Sequence, residues 1–280
     1  MSPDIDLRAA VNAISDVIMN RPRPLREFDQ IHMKAGDMVM QAEFVARWAD
    51  GERLAFIGDG DSISVCVAYL QARGILTYGP SEVEVFDFDE RVVSAVNRFA
   101  DHERLDRLHG TLYNCLDPMP GARQAFERFY TNPPWGATNG GASVNLFALR
   151  GMEAIGFSGE GMIVIADDAL PWAQKVLSSC QNFAIGHGFF VKRMTPGLHS
   201  YHLDDDPDLL SCNLVIKSLP ENAERAPSEP LTDAATLANF YGAGKEPRVR
   251  YVREKKRLNY GKAHDDEYEF EYLGGEPNGD

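Results

Sequence analysis

A doubly wound α/β fold with a mainly parallel sheet is what this sequence predicts, and three observations carry the expectation. Short apolar runs recur between residues 54 and 217 and alternate with segments of helical periodicity. The first run stops in glycines and passes straight into a helical pattern. The last two runs have no helical segment between them, so they pair as a hairpin and add one antiparallel strand at or near the sheet edge.

Taken in order, Ile5, Leu7, Val11, Ile14, Val17 and Ile18 are spaced as one face of an amphipathic helix, which Pro22 and Pro24 end. Residues 37–48 read as a second helix. Leu54–Ile57 is a short strand, followed by the turn Gly58-Asp59-Gly60-Asp61 and a helix with Ser62 or Asp61 as its N-cap and Gly74 as its stop. A strand at Val83–Asp87 precedes a helix from Glu90 to about Ala100. Weaker strands fall near 106–110 and 127–131. A helix over Ser143–Ile155, a strand over Met162–Ala166 and a helix over about 171–185 follow, then strands at 189–195 and 211–217. This arrangement resembles the class I methyltransferase fold, a Rossmann-like sheet. Past Leu219 a polar, proline-containing stretch begins, with a short helix expected over 231–241. The expected organisation is a helical segment over 1–50, a catalytic domain over 51–220 and a C-terminal extension over 221–280 with an acidic tail.

The 280 residues carry a formal charge of −14. That average field repels a phosphate backbone and attracts a small cationic substrate. No apolar run is long enough to span a membrane, and the N-terminus lacks the basic-then-apolar layout of a signal peptide, so a cytoplasmic protein is expected. Cys66, Cys115, Cys180 and Cys212 show neither CxxC nor zinc spacing and read as buried reduced thiols; no metal is expected. Oligomeric state is left open, a homodimer among the options.

Two constellations carry chemistry. The first is IGDGDS (57–62), between a strand and a helix, where Gly58 and Gly60 let the backbone turn tightly beneath a ligand and free N–H groups face it. Asp87, ending the next strand, can accept hydrogen bonds from both hydroxyls of a ribose. The second is YTNPPWG (130–136). The Asn132 side-chain carbonyl and the Pro133 backbone carbonyl can both accept from one amine, aiming its lone pair at an electrophilic carbon. Trp135 can stack on a flat base or face a cation. Weaker candidates are Asn114 or Asp117 for an adenine amino group, Asp167 at the end of the 162–166 strand, and the polar loop 198–209, whose His199, His202 and acids from Asp204 onward suit a polyamine or a metal. The basic run 248–258 suits nucleic acid or a solvated strand pair.

Spermidine synthases read I-G-G-G-D-G in the loop, and that alignment puts Asp61 on their loop aspartate. The order RPxPxREFDQ (21–30), GDGDS, DFDER and a PP turn is similar, over residues 20–220, to the branched-chain polyamine synthases, the N4-bis(aminopropyl)spermidine synthase family. The resemblance implies aminopropyl transfer from decarboxylated S-adenosylmethionine to a polyamine, with Asp59 and Asp61 as loop acids, Asp61 beside the cosubstrate ammonium, and Asp87 as the acid after the second strand. Two positions depart from that family: Gly60 replaces a loop aspartate, and Asn132 stands where a carboxylate is usual. The NPPW residues themselves resemble S-adenosylmethionine-dependent enzymes that methylate exocyclic amino groups in nucleic acid. Both readings stay open, together with a non-catalytic relative that binds an adenosyl ligand.

Overall fold

The computed structural model describes residues 5–120, 125–203, 208–220, 227–255 and 268–274. Two N-terminal helices, α1 (Leu7–Asn20) and α2 (Ala35–Trp48), flank a 3-10 turn at Arg26–Phe28. The alternating core follows as β1 (Arg53–Ile57), α3 (Ile63–Ala72), β2 (Glu82–Asp87), α4 (Glu90–Glu103), β3 (Leu108–Leu112), β4 (Arg128–Thr131), α5 (Ala142–Ala154), β5 (Glu160–Ala166), α6 (Pro171–Gly186), β6 (Phe189–Ser200) and β7 (Leu210–Ser218). A short α7 (Ala234–Leu237) and the pair β8 (Val249–Glu254) and β9 (Tyr268–Tyr272) complete the described chain.

The seven-stranded sheet has the order β3-β2-β1-β4-β5-β7-β6. Its first five strands pair in parallel, while β7 runs antiparallel to both β5 and β6. The expected hairpin is present; its antiparallel strand lies one place in from the edge. The strand order is that of a class I methyltransferase-like sheet and reverses direction beside β1, so the carboxyl ends of β1 and β4 flank a crevice.

Period-two alternation divides the strands between two apolar layers. Leu54, Phe56, Val83, Val85, Tyr130, Met162 and Val164 face the layer built with α1 to α4. Ala55, Ile57, Phe129, Ile163 and Ile165 face α5, α6 and part of the C-terminal segment. Phe56 sits two residues before the first glycine; it is fully buried with its ring 4.8 Å from Tyr130, so packing rather than charge governs that position. Phe129 lies in a slot made by two glycines: a Cβ on Gly151 or Gly161 would come within 2.2 Å or 2.1 Å of its ring. The four cysteines are buried free thiols.

Three local expectations are corrected. Ser62 is the N-cap residue of α3, one of the two expected, but neither it nor Asp61 caps with its side chain: Ser62 is left-handed (φ 59), and Asp59 takes the N–H groups of Ile63 and Ser64 instead. The helix over 231–241 shrinks to Ala234–Leu237, because the chain leaves it through a left-handed Asn239 to bury Phe240 and Tyr241. The last loop is shorter than expected, since β6 continues to Ser200 and carries His199 into the interior. The basic run forms β8 over Val249–Glu254, paired with β9; its residues 256–258 lie outside the described ones. Among the described residues, no helix is long and apolar enough to cross a membrane.

The Phe129 slot generates a prediction. Gly161→Ala should destabilise the fold by roughly 1–3 kcal/mol through overpacking. Adding Phe129→Leu should return part of that loss, so that chemical denaturation of the two single variants and the double variant gives a non-additive cycle.

Candidate active site

At the carboxyl ends of β1, β2 and β4, a cleft of about 880 Å³ opens between the glycine loop, the β4 turn, residues 28–32 and Tyr241. Gly58, Asp59, Gly60, Asp61, Asp87, Asn132, Pro133 and Trp135 all line it, so the two predicted constellations meet in one place.

Each loop residue has a local cause. Gly58 adopts φ +75 and donates to the Phe86 carbonyl at 2.8 Å, and a Cβ there would press to 3.3 Å from the Phe147 ring. Gly60 faces open space, with nothing within 4 Å of where a Cβ would stand. Asp59 is spent on the fold: besides the two backbone donors of α3 it accepts the Ser64 hydroxyl. Asp87 accepts from the Asp59 N–H and the Asp89 N–H, each at 2.9 Å, one on each carboxylate oxygen. It therefore clamps the glycine loop to the start of α4 while one lone pair on each oxygen remains unused.

Asp61 joins the two constellations. Its Oδ1 accepts the Met33 N–H at 2.7 Å and its Oδ2 accepts from Asn132 Nδ2 at 2.7 Å. Arg21, the arginine before Pro22, reaches to 3.9 Å of Oδ1 and donates to the Asp61 carbonyl at 3.2 Å. An acceptor-only carboxylate behind Asn132 dictates the amide orientation, with nitrogen toward Asp61. Trp135 is held by its N–H on the Val164 carbonyl at 3.1 Å and stacks on Trp172.

Burial dominates the electrostatics. Desolvation raises Asp59 well above the ordinary carboxylate range and raises Asp61 against the opposing pull of Met33, Arg21 and Asn132. Asp87 is pushed up to about 7, first by burial and then by the neighbouring Asp89. Asp29, also in the wall, rises to about 6 through burial, whereas His32 falls to about 3 for the same reason and under the charge of Arg21.

Other predicted positions are not brought to the cleft. Asp117 turns outward to pair with Arg250 of β8 at 2.9 Å, and Asn114 is occupied by Leu116 N–H and the Arg250 carbonyl. Asp167 accepts the Gly197 N–H at 2.6 Å, serving the irregular end of β6. His202, by contrast, is exposed and outside the lining but stands beside it: its backbone N–H donates to the His32 carbonyl, and its charge bears on His32 and Asp61. Asp204 lies outside the described residues. Sequence reasoning missed the wall formed by Asp29, Gln30 and His32, although the RPxPxREFDQ stretch that leads into it was among the segments singled out. It also missed Tyr201 and Tyr241, which carry no local motif.

Comparison with known proteins places these observations. The family model described as the branched-chain polyamine synthase A C-terminal domain matches residues 9–271. An uncharacterized protein of Methanocaldococcus jannaschii is 26% identical over 153 residues, covering 54% of this chain and 35% of that protein. The N(4)-bis(aminopropyl)spermidine synthase of Thermococcus kodakarensis is 26% identical over 122 residues, covering 42% and 33% respectively. The chain thus spans about a third of the length of the curated relatives it matches. In fold it is similar to the branched-chain polyamine synthase from Thermus thermophilus crystallised with N4-aminopropylspermidine and 5'-methylthioadenosine. The TM-score is 0.68 at 19% identity, over 82% of this chain and 69% of that one.

The raised Asp87 carboxylate predicts a pH dependence. Between about 4 and about 7 the folded protein holds a proton here that the unfolded chain has released, so this group's contribution to stability falls as pH rises through that window and is level above it. Because His32 titrates in the opposite sense, the test is a difference: wild-type stability minus that of Asp87→Asn, followed by denaturation from pH 4 to 8, should decline up to about 7 and then flatten.

Proposed function

This chain belongs to the branched-chain polyamine synthase family, and from that premise we propose that it transfers an aminopropyl group from decarboxylated S-adenosylmethionine to an amine nitrogen of a polyamine. The observation that carries the reading is the Asp61–Asn132 hydrogen bond, which puts a buried acid of the cosubstrate loop directly behind the amine-orienting residue. The cleft fits an adenosyl group by its own features. The unused lone pairs of Asp87 suit two ribose hydroxyls. Phe88, Tyr113, Phe147 and Tyr241 supply apolar walls for a base. The space over Gly60 admits the chain that leaves the sulfur. When bound, that cosubstrate supplies a carbon activated by an adjacent sulfonium.

The protein's share is orientation. The amine offers its single N–H to the pair of acceptors formed by Asn132 Oδ1 and the Pro133 carbonyl, which points its lone pair at the carbon. As the nitrogen–carbon bond forms and the carbon–sulfur bond breaks, the electron pair stays on sulfur. A neutral secondary amine leaves as a tertiary ammonium and keeps its proton, so no base is needed after attack. What the chemistry requires is that the amine enter neutral, and Asn132, unlike a carboxylate, does nothing to draw off that proton. Asp61 favours a neighbouring ammonium and disfavours a carboxylate, which is the difference between the decarboxylated and intact cosubstrates.

The alternative, methyl transfer to an exocyclic amino group of a base, shares the cleft. It is favoured by the amide orientation of Asn132 beside the fixed ring of Trp135.

Calorimetry distinguishes the two. The decarboxylated ligand should bind more tightly than the intact one, and Asp61→Asn should narrow the gap. A preference for the intact ligand sinks aminopropyl transfer and leaves methyl transfer standing. With a polyamine acceptor, transfer should accelerate from neutral pH toward the amine's own pKa of about 10. Asn132→Ala should lower kcat roughly a hundredfold while leaving methylthioadenosine affinity in place.

A further inference from the structure

Of the acids that line the cleft, Asp59, Asp61 and Asp87 are engaged by the protein itself. Asp59 holds the first turn of α3, Asp61 holds Met33 and Asn132, and Asp87 holds the loop to the start of α4. Asp29 lines the same cleft and is not engaged. Among the described residues its carboxylate accepts no hydrogen bond and forms no ion pair. Only its backbone N–H is used, donating to the Arg26 carbonyl at 3.3 Å to close the 3-10 turn.

The stretch that carries Asp29 is fixed on both sides. The Leu25 N–H donates to Gln30 Oε1 at 2.7 Å, and the Phe28 ring packs edge-on against Phe88, Tyr241 and Phe270 at 5.1, 5.4 and 5.6 Å between centroids. Gln30 Nε2 reaches Asp89 at 3.4 Å, and Met33 is held by Asp61. Between these anchors Asp29 is left-handed, with φ 60 and ψ 22. Aspartate tolerates that region, but asparagine and glycine tolerate it as well and bring no charge. The backbone therefore does not call for an acid here. The acid also carries a desolvation cost: burial raises its pKa to about 6, against the pull of Arg26 and Lys245. Both of those residues are exposed, Lys245 Nζ lies 3.5 Å from the Arg26 carbonyl, and Asp29 beside them is half-buried, so it stands toward the rim of the cleft. A desolvated carboxylate with open acceptor sites is completed by a cation that brings its own donors.

We propose that Asp29 is a specificity-determining residue: its carboxylate pairs with an outer ammonium of the acceptor while the reacting nitrogen of the same molecule sits at Asn132. The proposal deepens the aminopropyl reading and rests on it for which nitrogen reacts. The ammonium of the cosubstrate has its partner in the buried Asp61 at the loop. A polyamine carries further charges several methylenes from the attacking nitrogen, and an acid on the rim is placed to take one of them. The acid would then select an acceptor by its second charge, which a monoamine or the exocyclic amine of a base lacks.

Calorimetry on the full-length chain saturated with methylthioadenosine tests this, with spermidine as the probe. N-propylbutylamine, which keeps the secondary amine and lacks both outer ones, is the control. Asp29→Asn preserves size and left-handed tolerance, and Asp29→Gly preserves the backbone alone. Both should weaken spermidine binding on the order of tenfold and leave the affinities for N-propylbutylamine and methylthioadenosine unchanged. In the transfer assay the KM for spermidine should rise by the same factor with kcat little altered. Spermidine affinity in Asp29→Asn equal to wild type would show a conformational role only and overturn the proposal. A matching loss of methylthioadenosine affinity would place the carboxylate on the nucleoside and overturn it as well. The two readings fail separately: spermidine binding that depends on Asp29 without any transfer sinks the aminopropyl reading alone, and transfer that is indifferent to Asp29→Asn sinks this one alone.

Discussion

The hydrogen bond between Asp61 and Asn132 is the contact on which the rest of the site depends. It spans 71 residues of sequence and joins the turn after β1 to the turn after β4, the two neighbouring parallel strands at the sheet's crevice. The same carboxylate holds Met33, and through it the segment 28–33 that closes the cleft from above. One acid thus fixes the loop, the acceptor turn and the lid-forming stretch relative to one another. Substituting a neutral side chain at 61 would leave the Met33 N–H and the Asn132 amide competing for a weaker acceptor, and Arg21 without its counter-charge.

Gathering Asp29, Asp59, Asp61 and Asp87 around one cleft is costly, because burial opposes ionisation of each. The fold offsets this with backbone N–H groups rather than with many cations. Asp59 caps α3, Asp87 clamps two loop amides, and Asp61 takes a third. What remains is a cleft with acceptor capacity and raised proton affinity, and such a lining suits ligands that bring donors and positive charge. The overall charge of −14 acts in the same direction at longer range.

The sheet was legible because strand and helix periodicities are properties of contiguous residues. The two constellations were legible because glycine turns and a PP turn are local as well. What could not be read was which acid faces a ligand. Asp59 and Asp61 are two residues apart and look alike in sequence, yet one is consumed by a helix end and the other by Asn132. That choice is set by the left-handed Ser62, a tertiary fact. Asp117, Asp167 and His202 were attractive by position along the chain. Arg250 and Gly197, from distant segments, hold Asp117 and Asp167 elsewhere, while His202 stays exposed beside the wall with its backbone N–H on the His32 carbonyl. Tyr241 and Tyr201 enter the cleft from the C-terminal segment and from the end of β6, with no spacing rule to announce them.

The asparagine at 132 can be understood through direction rather than charge. A carboxylate there would stand against Asp61, and two acids so close would have to share a proton between them. An amide avoids the conflict: it gives Asp61 a donor and leaves a carbonyl for the ligand. It gives up the ability to accept a proton and gains a polarity fixed by Asp61. Under the proposed chemistry the amine's own acid–base equilibrium then supplies the neutral nucleophile, and the protein contributes position.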